Sequence, residues 1–66
     1  MNEKPDYNAM TVNERLFTAG LLAAWDAAVR SRNRDRMIEL LNEVELSNQA
    51  ASISDAVLAN PKFYGF

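Results

Sequence analysis

The sequence contains neither cysteine nor histidine. These absences exclude disulfides, zinc sites of the usual kind, thiol nucleophiles and His-based catalytic triads. A chain of 66 residues buries only about 60% of its unfolded surface, so that oligomerisation is the remaining common way to stabilise it. With no nucleophile–base pair and no glycine-rich phosphate loop, the sequence predicts a non-enzymatic protein that needs no cofactor and no metal.

Charge and hydrophobicity indicate a folded, soluble chain. Nine acidic and seven basic residues give a net charge of −2, and hydrophobic residues make up 48% of the sequence. There is no polybasic tail, and the first ten residues lack the apolar core of a signal peptide. The longest apolar run, Leu16–Val29, is too short for a bilayer, which needs about 20 residues, and Asp26 interrupts it. We therefore expect a cytoplasmic protein without membrane contact.

Leu16–Val29 is also the stretch around which the chain is organised. Apolar or small side chains cover about 250° of its helical circumference, well beyond the usual stripe. Thr11 and Glu14 form a T-x-x-E capping box before it, which places the start of the first helix at Val12. We expect this helix to span residues 12–30, with Gly20 allowing a second helix to approach closely.

Two shorter helices follow. Asn33 is a candidate N-cap for a second helix over 34–44, and Ser47 is one for a third over 48–59. The third helix ends before Pro61 because a residue that precedes proline resists the α region. Three helices joined by short turns predict an all-α fold, a compact three-helix bundle.

Residues outside the helices divide into a lead-in and a tail. Residues 1–10 have no hydrophobic period and are predicted to be a flexible segment in front of a single helical domain, 11–66. Three of the six aromatic residues lie in the last six positions. We expect Phe63, Tyr64 and Phe66 to pack onto the bundle, because a free aromatic tail would leave apolar surface in water; the alternative is a short motif presented to a partner.

The first helix has more apolar surface than two short helices can cover. Either the chain termini cover the rest, or a second subunit or another protein does. Leu22, Trp25 and Val29 form the candidate interaction patch on the side opposite the small residues, with Trp25 as its anchor.

A second candidate site is the corner between the first two helices. It contains four arginines in seven residues, Arg30, Arg32, Arg34 and Arg36. Arginine side chains suit phosphate groups, so this corner could contact a nucleic acid backbone or another anion. The alternative is a solvated turn in which these charges offset nearby carboxylates; Glu39, for example, lies within reach of Arg36 at i,i+3.

Residues 40–52 resemble the turn of a helix-turn-helix motif, in which Ala51 would take an inward position. Three departures weaken the match: Glu45 stands where the turn usually has glycine, Ser54 is polar at an inward position, and Leu41 replaces a small residue. The following helix has no lysine or arginine, and its Asp55 would repel phosphates. DNA binding is therefore the less favoured interpretation.

The segments NERLF (13–17) and NPKFYGF (60–66) resemble those of a family of very short, uncharacterised bacterial proteins that end in Asn-Pro-x-x-Tyr-Gly-Phe. The resemblance covers most of residues 11–66. It implies an all-helical fold in the bacterial cytoplasm and no assigned activity, so that it provides no functional residues.

The hypothesis that these observations favour is a small protein-interaction module that binds a protein partner or forms a homodimer through its first helix. The alternative is a nucleic-acid-associated regulator that uses the Arg30–Arg36 corner and a degenerate helix-turn-helix.

Overall fold

A computed structural model describes residues 7–66, and these residues form four α-helices and no β-strand. Two 3-10 helices lie before and after the last α-helix. Each α-helix contacts the next one along the chain, and the third and fourth make the most extensive pair. The predicted all-α class is confirmed. The helices are α1 (Val12–Thr18), α2 (Leu22–Arg30), α3 (Arg34–Glu43) and α4 (Ala50–Ala59), and the 3-10 helices are Ser47–Gln49 and Pro61–Tyr64.

The prediction of one continuous helix over residues 12–30 is wrong, because the chain turns at Gly20. Gly20 has a φ of +76°, and its N–H donates to the Phe17 carbonyl at 3.0 Å. The N–H of Leu21 reaches the Leu16 carbonyl at 2.8 Å. This pair of bonds is a Schellman motif, which ends a helix through a left-handed residue.

The sequence had suggested that Gly20 allows a second helix to approach closely. The structure shows instead that Gly20 is needed for its left-handed backbone conformation. The residue is exposed, and a Cβ built there would have no atom within 4 Å.

The same turn recurs three times further along the chain. Its left-handed residue is Arg32 (φ +57°) after α2, Glu45 (φ +65°) after α3 and Gly65 (φ +91°) after the second 3-10 helix. In each case the next N–H bonds to the carbonyl five residues earlier, at 2.8 to 3.0 Å. These six-residue turns end α1, α2, α3 and the second 3-10 helix.

Two of the three predicted helix caps are confirmed. The Thr11 hydroxyl accepts from the Glu14 N–H at 3.2 Å, and the Glu14 carboxylate accepts from the Thr11 N–H at 2.8 Å. The Asn33 side chain accepts from the Arg36 N–H at 3.1 Å. Ser47 makes no cap bond; it begins a 3-10 turn, and α4 starts only at Ala50.

Every described α-helix contributes to one apolar core, and the connections after α3 add Val44 and Leu46 to it. The core also contains Tyr7, which is 5% exposed. The predicted flexible segment 1–10 thus ends in residues that pack with the domain, while residues 1–6 lie outside the described part. The buried apolar residues are Tyr7, Leu16, Trp25, Ala28, Val29, Met37, Leu40, Leu41, Val44, Leu46, Ala50 and Val57.

Candidate interaction surface

The interaction patch expected from the sequence lies largely inside the molecule. Trp25 and Val29 are each 3% exposed and belong to the core, and Leu22 is partly buried against it. The break at Gly20 explains this position, because it turns α1 away from the axis of α2. The apolar side of α2 is then covered by the rest of this chain, so these residues offer no external patch in the folded monomer.

Among residues 7–66, the large apolar side chains that remain in water are three aromatics. Phe63 is 76% exposed, Phe17 is 73% exposed and Tyr64 is 45% exposed. Phe17 stands alone on α1, whereas Phe63 and Tyr64 are neighbours in the last 3-10 helix. An exposed group of large apolar residues is more informative than one exposed residue, since scattered single ones are normal on protein surfaces.

The backbone that presents this pair is fixed by the local sequence. Asn60 leaves the α region (φ −147°, ψ 70°) before Pro61, which takes the first position of the 3-10 turn. The Phe63 N–H then donates to the Asn60 carbonyl at 3.1 Å, and the Gly65 N–H donates to the Lys62 carbonyl at 3.1 Å. The left-handed conformation of Gly65 closes the turn. Phe63 and Tyr64 therefore lie on an ordered turn and not on a free tail.

Phe66 anchors the turn to the rest of the molecule. It is partly buried and packs against the core, and the guanidinium of Arg30 at the end of α2 lies 5.6 Å from the centre of its ring. Cation–π contacts of this kind form within about 6 Å of a ring centre. Phe66 therefore packs partly onto the core, whereas Phe63 and Tyr64, which were expected to pack as well, face water.

The two exposed rings also support each other. Their centres are 5.0 Å apart and their planes meet at 80°, which is the edge-to-face arrangement that aromatic pairs favour. Phe63 and Tyr64 thus form one preorganised feature, which we call the aromatic pair.

The four arginines of the predicted anion site all have partners within the chain. Arg30 stacks on Phe66 as described, and Arg32 Nη2 donates to the Leu58 carbonyl at 3.1 Å. Arg34 bonds both carboxylate oxygens of Asp55, at 2.7 and 3.3 Å. Arg36 Nη1 bonds the Glu39 carboxylate at 3.1 Å. Three of these contacts connect the corner to α4 and the last turn, so the cluster acts as a structural connection.

The ion pair between Arg34 and Asp55 has an electrostatic signature. Its hydrogen bonds lower the pKa of the Asp55 carboxyl below its usual value and raise the pKa of the Arg34 guanidinium. Both side chains remain substantially exposed, so solvent weakens the pair.

The helix-turn-helix resemblance is reproduced in the turn but not in the surface that would contact DNA. Glu45 adopts the left-handed conformation for which such turns usually use glycine. Ser54 is fully buried, and Ala51, predicted to point inward, is exposed while Ala50 is buried. α4 carries no cation, and its Asp55 is engaged by Arg34.

Other kinds of site are not found in residues 7–66. This part of the chain contains no surface pocket and no group of three or more acidic residues that could hold a metal ion. None of its helices is long and apolar enough to span a bilayer. The ordered aromatic pair is thus the feature of the described surface that departs most from an ordinary solvated one.

Comparisons with protein-family models, with curated proteins and with solved structures give no match to this chain. The resemblance to short bacterial proteins stays a prediction, and function has to be argued from the geometry alone.

Proposed function

We propose that this protein is a non-enzymatic protein-interaction module that binds its partner through the aromatic pair. The observation that carries the proposal is the exposure of Phe63 (76%) and Tyr64 (45%) on a hydrogen-bonded turn. A partner that covers these rings would remove apolar surface from water without having to order the turn first. Aromatic side chains in such positions are frequent hot spots of protein interfaces.

The size of the surface favours a short partner segment over a second copy of this chain. An aromatic side chain offers about 150–250 Å², so the exposed fractions of Phe63 and Tyr64 give roughly 250 Å² in total. A stable protein–protein interface buries about 800 Å² on each side. The aromatic pair alone is therefore too small to hold a homodimer, and it suits one apolar anchor of a peptide segment.

Association through the first predicted helix remains a separate proposal. Of that stretch, the exposed apolar residues are Phe17 on α1 and the alanines Ala23 and Ala27 on α2. Sedimentation equilibrium over a wide concentration range tests this route directly. A dimer that persists at low micromolar concentration and is lost on Phe17→Ser would place the contact on this side of the molecule.

The aromatic pair is tested by selecting peptides from a random display library on three immobilised proteins. The baits are the wild type, the double variant Phe63→Ser with Tyr64→Ser, and Phe17→Ser as the matched control. Phe17 suits this purpose because its exposure (73%) is close to that of Phe63.

We expect the wild type and the Phe17→Ser protein to enrich related sequences that the double variant does not retain. Circular dichroism has to show that all three baits are equally helical. A wild type that enriches nothing beyond the double variant would overturn the proposed function.

A further inference from the structure

We infer that the segment recognised by the aromatic pair is acidic, with an apolar side chain flanked by aspartate or glutamate. The inference rests on the proposed function and specifies the chemistry of its partner. The juxtaposition that supports it is an exposed aromatic pair with two cations that have no carboxylate partner in the described structure.

The first of these cations is Lys62, which lies beside Phe63 on the same 3-10 turn and is exposed. The second is Arg30, which is exposed and stacks on the Phe66 ring. Neither makes an ion pair with any of the described carboxylates, whereas Arg34 and Arg36 both do. The turn is thus bordered by two cations that no ion pair engages within residues 7–66.

The segment over residues 56–66 carries no acidic side chain. The last acidic residue before it, Asp55, is held by Arg34. The protein as a whole has a net charge of −2. The last turn is therefore locally basic and aromatic, and its positive charge is opposite in sign to the net charge of the protein.

Stacking leaves the Arg30 guanidinium able to bind an anion. A guanidinium that lies against an aromatic face keeps its N–H groups at its edge, where a carboxylate can accept two of them. Complementary charges at the rim of an interface select partners and increase the association rate. An apolar anchor over the aromatic pair, with carboxylates towards Lys62 and Arg30, would match this arrangement.

Anionic membranes and nucleic acids share some of this chemistry but fit the molecule less well. Both present many negative charges over a wide surface, which two cations on a protein of net charge −2 oppose poorly. Aromatic stacking on bases also needs a groove of positive charge that follows the strand, and the described surface has no such groove. We therefore assign the site to an acidic peptide segment.

The test uses the peptides selected on the wild-type protein. We expect them to carry at least two acidic residues near an apolar one. One enriched peptide is then synthesised together with its amide counterpart, in which each Asp is replaced by Asn and each Glu by Gln. Fluorescence anisotropy should show that the amide version binds about tenfold more weakly or worse, since rim charges favour the acidic one.

Charge reversal on the protein provides the complementary measurement. Lys62→Glu should weaken binding of the acidic peptide about tenfold or more and leave the affinity for the amide peptide nearly unchanged. Arg36→Glu is the matched control, because it changes the net charge equally at a cation that is paired with Glu39. In this control variant, binding of the acidic peptide should weaken by less than about threefold.

The outcomes separate the two proposals. If the selected peptides are neutral or basic but still require Phe63 and Tyr64 for binding, the proposal of an acidic partner is wrong and the proposal of an interaction module stands. Lack of any peptide enrichment would remove both. Vesicles containing phosphatidylserine and a single-stranded oligonucleotide are tested in parallel, and tight binding of either one that is abolished by Lys62→Glu would overturn the assignment to a peptide.

Discussion

At the scale of single residues, the four reversing turns place different side chains in one backbone conformation. Gly20 and Gly65 adopt it without a Cβ, whereas Arg32 and Glu45 adopt it with one. A left-handed residue with a Cβ costs roughly 1–2 kcal/mol. Arg32 and Glu45 therefore destabilise the folded state relative to glycine at the same two positions.

Glu45→Gly should stabilise the protein by about 0.5–1 kcal/mol. The gain is the relieved left-handed strain less the larger chain entropy of glycine in the unfolded state. Glu45 is the cleaner site for this test because Arg32 also donates a hydrogen bond to Leu58. Urea unfolding followed by circular dichroism measures the difference.

The reverse change, Gly20→Ala, should destabilise the protein by about 1 kcal/mol. Ala56→Gly, at an exposed position inside α4, serves as the control and should also destabilise, since glycine weakens a helix interior. A loss of stability in Glu45→Gly similar to that of this control would contradict the argument.

Replacement of Ser54 is also expected to stabilise the protein. The Ser54 hydroxyl is fully buried and has no hydrogen-bond partner among the described residues. Since an unsatisfied buried polar group costs about 1–3 kcal/mol, we expect Ser54→Ala to raise the free energy of unfolding by about 1 kcal/mol. Ser52→Ala, on the exposed side of the same helix, should change it by a few tenths at most. A Ser54→Ala protein of lower stability would show that the hydroxyl has a partner.

At the scale of helices, α1 depends on contacts that its own length cannot supply. It has seven residues, far fewer than an isolated helix needs. Arg15 connects it to the rest: Nε donates to the Met10 carbonyl at 3.2 Å and Nη1 to the Val44 carbonyl at 3.0 Å. Its guanidinium also lies 5.7 Å from the ring centre of Tyr7. One side chain thus joins the start of the domain to the end of α3.

Arg15→Lys should therefore destabilise the protein by about 1–2 kcal/mol, although the charge is kept. Lysine cannot reproduce a planar fork that reaches two carbonyls and stacks on a ring. Arg36→Lys is the control, because its exposed pair with Glu39 needs only a charge. Thermal unfolding of both variants measures the contrast, and equal midpoints would show that Arg15 contributes charge alone.

The ion pair between α3 and α4 predicts a change of stability with pH. Hydrogen bonds from Arg34 lower the pKa of Asp55 below its usual 3.8. A lowered carboxyl pKa stabilises the folded state at pH values above 3.8, and this contribution is lost as the pH falls through the folded pKa. Asp55→Asn should therefore lose stability at neutral pH and converge with the wild type in strong acid. A constant difference between the two thermal midpoints from pH 6 to pH 2 would contradict this.

The sequence predicts α3 and α4 well because each has one apolar side and a clear boundary signal, Asn33 before α3 and Pro61 after α4. It misplaces the first helix because apolar residues surround the whole Leu16–Val29 run. Periodicity then cannot distinguish one long helix from two that pack together. The useful signal is local: Gly20 lies between Leu16 and Leu21, which have the spacing of the apolar contact in a Schellman motif.

For the molecule as a whole, the buried position of Trp25 makes it a determinant of stability. A domain of this size has a free energy of unfolding of about 3–10 kcal/mol, and truncation of a buried aromatic costs about 3–5 kcal/mol. Trp25→Ala should therefore lose most of its helical circular dichroism signal. The milder Trp25→Phe should fold with a lower thermal midpoint and keep the sedimentation mass of the wild type. A Trp25→Phe protein of full stability and altered mass would instead make Trp25 an intermolecular contact.

The candidate surface was harder to predict than the fold. The sequence places three aromatics at the end of the chain, but their directions depend on a 3-10 turn and on the left-handed Gly65. Helical periodicity does not describe such a turn, so Phe66 could not be distinguished from Phe63 and Tyr64. The arginine corner was misleading for a similar reason, since the partners of Arg32 and Arg34 lie more than twenty residues further along the chain.

The handedness of the turns has a consequence for chemical synthesis. A φ of +76° at Gly20 and +91° at Gly65 is strained for an L-residue but lies in the left-handed region that D-residues prefer, the mirror image of the region that L-residues prefer. Both glycines are exposed, so that a D-alanine methyl at either position should point into solvent. The protein is short enough to be assembled from peptide fragments, and mirror-image residues at these two sites would restrict the unfolded chain while leaving the native turns unchanged.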